Sequence, residues 1–175
     1  MKKVIIIGGG LAGSEAALYL ANKDISVELY EMRPKNTTDI HKTAYLAELV
    51  CSNSLGAKNI HNASGLLKEE ISQLGSYLIP AARQYSVPAG GALAIDREIF
   101  ARHITEVVEH HPNINLIHEE VQEFQTFLSQ GHYVLIASGP LTSQRLSQSL
   151  LTLTEKDYLH FYDAVAPIVE LDSID

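Results

Sequence analysis

The sequence predicts an α/β fold wound around a parallel central sheet, and three observations carry that reading. Val4-Ile5-Ile6-Ile7 is a short β-branched run, the pattern of a strand buried on both faces of a parallel sheet. Gly8, Gly10 and Gly13 follow in the spacing G-x-G-x-x-G and lead into a helical stretch with Ala16, Ala17, Leu18 and Leu20. A second strand pattern, Ser26 to Glu31, ends in a carboxylate. That carboxylate lies close to the ~20-residue offset at which dinucleotide-binding folds hold a ribose hydroxyl.

In such a Rossmann-like turn, Gly8 permits the tight bend and Gly10 lets backbone approach a pyrophosphate, while Gly13 lets helix and strand pack closely. Gly9, Leu11 and Ala12 complete the loop, whose helix N-terminus turns N–H groups and a positive dipole end towards phosphates. Arg33 reads either as a contact to an adenine-ribose or phosphate, or as a solvated loop arginine.

Pro34 to Asp39 is turn material, and Thr43 to Cys51 reads as a short helix through Ala44, Leu46, Ala47 and Val50. A loop is expected through Gly56 to Asn62. A helix follows from Gly65 to Leu78, with Leu67, Ile71, Leu74 and Leu78 inward and Lys68, Glu69, Glu70 and Gln73 wet. Val87 to Ala92 is a second glycine-rich loop, either a close approach to a ligand or a plain turn. Asp96 caps a helix whose face is Phe100, Ile104, Val107 and Val108, with His110 and His111 at its negative end.

Strands are expected at Ile114 to Ile117, Val121 to Leu128 and Tyr133 to Ala137, the last a buried strand ending near Gly139 at the ligand edge of the sheet. Thr142 or Ser143 caps a final helix with Leu146, Leu150, Leu151 and Leu153 on one face. Beyond it, Tyr158 to Tyr162 and Ile168 to Leu171 are strand-like. The chain stops at Asp175 without turn, cap or polar tail, so a longer protein is expected.

The length of 175 residues and the 46% hydrophobic content suit one domain over residues 1–175. A net charge of −8 argues against a generic nucleic-acid coat, though not against a local basic patch. No apolar run is long enough to span a membrane, and Val4 to Ile7 is too short for a signal peptide. The single cysteine, Cys51, excludes an internal disulfide framework and suits a cytoplasmic protein. The histidines show no zinc-ligand spacing, so no metal site is expected.

Five segments together carry a resemblance. They are the opening glycine motif with Glu31, Ala47 to Leu55, Gly65 to Glu70, Val87 to Ala94, and Ala137 to Ser143. The chain resembles the bacterial folate- and FAD-dependent tRNA (uracil-5-)-methyltransferases, relatives of the flavoproteins that modify wobble uridines. The resemblance implies a glutathione-reductase-like FAD-binding fold, with Gly8 to Gly13, Glu31, Arg33 and Gly139 at the cofactor.

It also implies NADH or NADPH as reductant, 5,10-methylenetetrahydrofolate as one-carbon donor, and C5 of a tRNA uracil as acceptor. Because uracil C5 is a poor nucleophile until a group adds at C6, an activating group is required. Cys51 matches the family's cysteine beside the flavin, acting on the uracil or assisting the flavin; on composition alone it reads as a buried structural thiol. The family's remaining length would hold the rest of the FAD fold, an RNA-facing domain and a second cysteine. Gly56 stands where the family pattern has an arginine, which removes a local cation. The alternatives are a sister flavoprotein acting on an rRNA or wobble uridine, and a truncated, non-catalytic FAD-binding module.

Overall fold

In the computed structural model, which describes residues 2–155, strand β1 (Val4–Ile7) lies inside a four-stranded parallel sheet. Its neighbours are β2 (Val27–Glu31) and β7 (Tyr133–Ile136), and β6 (Ile114–His118) pairs with the far side of β2. Ile5, Ile6 and Ile7 are almost wholly buried, as the all-apolar run predicts. Ile6 joins the core beneath helices α1 (Leu11–Ala21) and α4 (Arg97–His110), while Ile5 and Ile7 face Phe124 and Leu146 on the opposite side. β1 is therefore covered on both faces, as expected where strands connect through helices. Tyr133 and Leu135 of the edge strand β7 are exposed, however, so that run is not the buried strand its apolar pattern predicts.

Both expected caps form. The Asp96 carboxylate accepts a hydrogen bond from the Ile99 N–H at the start of α4. The Ser143 hydroxyl accepts one from the Leu146 N–H at the start of α6 (Gln144–Thr154). Each satisfies a backbone donor that the first helical turn leaves open. Leu146 is buried, but Leu153 is exposed.

Several local expectations fail. Thr43 to Cys51 is not helical. Ala47 takes a left-handed φ of 52°, which a helix does not tolerate, and the N–H groups of Leu46 and Ala47 donate to Thr105 Oγ1 and the Gly9 carbonyl instead. The loop expected through Gly56 contains a strand, β3 (Ser54–Ala57). It pairs with β5 (Ala92–Ile95), which also pairs with β4 (Ser86–Val87), in a three-stranded antiparallel sheet. The second glycine-rich loop is thus the turn joining β4 to β5, with Gly90 at φ 57°.

The helix expected from Gly65 to Leu78 is divided into α2 (Ala63–Gln73) and α3 (Leu78–Gln84), with Gly75 at φ 94° between them. Its inward face is also different. Leu67 and Leu74 are exposed, whereas Gly65 and Lys68 are buried. A Cβ at Gly65 would lie 1.9 Å from the Asn59 carbonyl oxygen, so the glycine lets α2 close onto that turn. The strand expected over Val121 to Leu128 does not form: residues 121–124 are irregular and a short helix, α5 (Gln125–Ser129), follows. The strand-like segments expected at 158–162 and 168–171 lie outside the described residues.

Candidate functional site

The carboxyl ends of β1, β2 and β7 open into a cavity of about 470 Å³, within the ~300–1,000 Å³ range of small-molecule and cofactor sites. Gly8, Gly9, Gly10, Leu11, Ala12, Glu31, Arg33, Cys51 and Gly139 all line it. Gly13 does not; it packs beneath the loop.

The glycines divide by what surrounds them. A Cβ on Gly13 would lie 1.8 Å from the Gly8 carbonyl oxygen, and Gly8 itself has φ 104°. These two glycines are required by the turn. Gly10 differs, because a Cβ there would meet no protein atom within 4 Å. Its open side belongs to the cavity, next to the first-turn N–H groups of α1 that have no acceptor within the helix. That is the form of an anion cradle.

Glu31 is buried, and its carboxylate works within the protein. Oε2 accepts from the Gly9 N–H at 2.8 Å, and Oε1 accepts from the backbone N–H and Nε of Arg33 at 3.1 and 2.8 Å. Burial pushes its pKa up, but the Arg33 hydrogen bonds and charge, with the Gly9 N–H, outweigh this and hold it below the usual carboxylate range. Oε2 retains acceptor capacity for a further hydroxyl at the cavity edge.

Arg33 is not a solvated loop residue. It is 1% exposed, with Nη1 on Glu48 Oε2 at 3.0 Å and Nε on Glu31. Glu48 in turn accepts from the Lys42 N–H and from the Thr43 N–H and hydroxyl. Arg33 therefore ties the end of β2 to the loop that leads to Cys51. His41, on the same wall, is held neutral further into the acid range than usual. Burial is the main cause and the Arg33 charge adds to it, against opposing pulls from Glu48 and Glu31.

Cys51 is exposed on this wall, rather than at the end of a helix or in the core. Tertiary bonds place it. The Gly9 carbonyl accepts from the Ala47 N–H at 2.8 Å, and Thr105 Oγ1 accepts from the Leu46 N–H at 2.8 Å while donating to the Ala101 carbonyl. Leu46 is buried beneath the glycine turn, where its side chain would meet any Cβ on Gly9. Sequence patterning passes over Glu48, His41 and Thr105, because none sits in a motif with its partners. Glu48 is nevertheless within the distinctive Ala47 to Leu55 segment.

A family described as glucose inhibited division protein A matches residues 3–175. The chain belongs to that family. Family relatives from Persephonella marina, Aquifex aeolicus and Bacillus licheniformis are 54%, 57% and 57% identical over 98–100% of this chain. Each is named methylenetetrahydrofolate--tRNA-(uracil-5-)-methyltransferase TrmFO, and the chain spans only 38–39% of their lengths. Among solved structures, Aquifex aeolicus GidA in its form II crystal superposes with a TM-score of 0.55 at 23% identity. That match covers 69% of this chain and 20% of the other, and it shows a shared fold. Among the described residues, no helix is long and apolar enough to cross a membrane. Nor does any group of three or more His, Cys, Asp or Glu among them form a metal-holding cluster.

Proposed function

We propose that this chain is the FAD-binding part of a cytoplasmic enzyme that methylates C5 of a uracil in tRNA. Methylenetetrahydrofolate is the carbon donor and NADH or NADPH the reductant. The observation that carries this reading is the exposure of Cys51 on the wall of the cavity that also holds the glycine turn and Glu31. The names of the relatives supply the substrate class.

The residues fit FAD. The open side of Gly10 and the first turn of α1 suit its pyrophosphate, Glu31 Oε2 suits a ribose hydroxyl, and Gly139 leaves the far wall free of side chain. When bound there, FAD supplies the redox chemistry that converts the folate carbon to a methyl group. Arg33 holds Glu31 ionised and aimed at the cavity, so its contribution to cofactor binding runs through that carboxylate. Leu46 and Ala47, pinned to Thr105 and Gly9, hold the Cys51 loop at the opening.

The test is Cys51→Ala in the full-length protein, with flavin absorbance and folate-dependent methylation of a tRNA transcript measured separately. Retained flavin with methylation abolished is the expected result. Unchanged methylation returns Cys51 to a structural role.

A further inference from the structure

A second, smaller cavity of about 250 Å³ is lined by Lys58, Lys68, Arg83, Ser86 and Leu93. Three cations thus converge in a chain whose net charge is −8. They come from separate elements: Lys58 follows β3, Lys68 is on α2, and Arg83 is on α3, with the Ser86 hydroxyl on β4.

Lys68 is the deepest of them, at 7% exposure. Its ammonium donates to the carbonyls of Leu55 and Ser64. Those bonds use two of its three N–H groups and leave one without a partner among the described residues. No carboxylate bonds to this ammonium, and burial and then the Arg83 charge push its pKa down. Arg83 spends only Nη2 on Glu69, at 2.7 Å, leaving Nε and Nη1 available. The Lys58 ammonium has no protein partner among the described residues and is exposed.

Carbonyl bonds account for holding Lys68 in place. They do not account for its ammonium sharing one open space with two more cations. The volume lies below the usual ~300–1,000 Å³ range of cofactor-sized sites and is ample for a tetrahedral anion with its water.

We infer that Lys58, Lys68 and Arg83 form a phosphate-binding subsite that takes one phosphodiester of the RNA substrate. The RNA assignment rests on the function proposed above. The site is connected to the main cavity through β3: Leu55 lines that cavity with its side and gives its carbonyl to Lys68. A strand whose uracil enters beside Cys51 is thereby gripped by its backbone one strand away, where contacts position the substrate without reading its sequence.

The experiment uses the flavin-loaded full-length protein and the double variant Lys58→Gln/Arg83→Gln. Both positions are exposed, so the fold tolerates the change, whereas Lys68→Met can fail to fold and serves only as a supporting variant. Inorganic phosphate is expected to raise the unfolding midpoint of the parent above that in chloride at matched ionic strength, and to have no such effect on the double variant. Binding of a tRNA transcript is expected to weaken. Its plot of log affinity against log salt should flatten by about 1 for each cation removed, about 2 in all, at unchanged flavin content.

Equal phosphate responses in parent and variant overturn the site. A phosphate response lost without any change in RNA affinity or salt slope overturns the RNA assignment. If methylation is absent while phosphate and RNA behave as expected, the enzymatic reading fails and the subsite remains.

Discussion

The parallel sheet and the segment from Lys42 to Ile95 share the walls of one cavity but encode their structures differently. In β2, side-chain pattern and burial agree. Val27 and Leu29 of β2 are buried on one face, while Glu28 and Tyr30 alternate onto the other and are only partly covered. In the segment they disagree. Leu67 and Leu74 have helical spacing yet are 55% and 73% exposed, while Lys68, on the supposedly wet face, is nearly buried. Spacing reports that a helix forms. Which face turns inward depends on what packs against it, and for α2 that is the turn at Asn59 and the carbonyl of Leu55.

The largest break in this comparison should come where the two regions are joined. Arg33→Met leaves Glu31 and Glu48 buried without their shared cation, and a loss of about 3–5 kcal/mol is expected in denaturant unfolding. A loss below about 1 kcal/mol would show that solvent already reaches the pair.

The glycine turn gives the next contrast. Gly13→Ala drives a methyl group into the Gly8 carbonyl and should cost about 1–3 kcal/mol or more. Gly10→Ala meets no protein atom and should change stability by no more than about 0.5 kcal/mol, while lowering the flavin retained on purification. Equal flavin content in the Gly10 variant and parent would remove the turn from the cofactor site.

Acid should separate the regions more gently. His41 and Glu31 both have folded pKa values below their ordinary ones, so the folded state binds their protons less readily than the unfolded chain does. The His41 share of stability is intact above the ordinary histidine pKa of ~6.5 and is lost as the pH falls through its lower folded value. The Glu31 share is lost later, below the usual carboxylate range. Thermal midpoints should therefore fall on acidification, and His41→Gln should flatten only the upper part of that decline.

The smallest effect is expected at Leu74→Ser. A side chain this exposed should change the unfolding free energy by no more than about 0.5 kcal/mol despite its place in the apolar repeat.

Much of this protein is readable from short stretches of sequence. A β-branched run before G-x-G-x-x-G identifies β1, the cradle and α1 because each glycine answers a constraint within a few residues, such as the Gly8 carbonyl over Gly13. Asp96 and Ser143 are legible for the same reason, since a cap binds an N–H three residues on. Cys51 is recognisable as a candidate through its segment, but not its setting, because Ala47 and Leu46 spend their N–H groups on Gly9 and on Thr105, 59 residues away.

The strand–turn–helix unit, the carboxylate at Glu31 and the caps are thus legible in the chain itself, because all of them rest on local bonding or a simple period. Folding had to bring distant partners together before Arg33 could be clamped between two carboxylates, Lys68 could turn inward and β3 could pair with β5. Those outcomes depend on partners distant along the chain, and no local pattern specifies which donor will meet which acceptor once the backbone has closed.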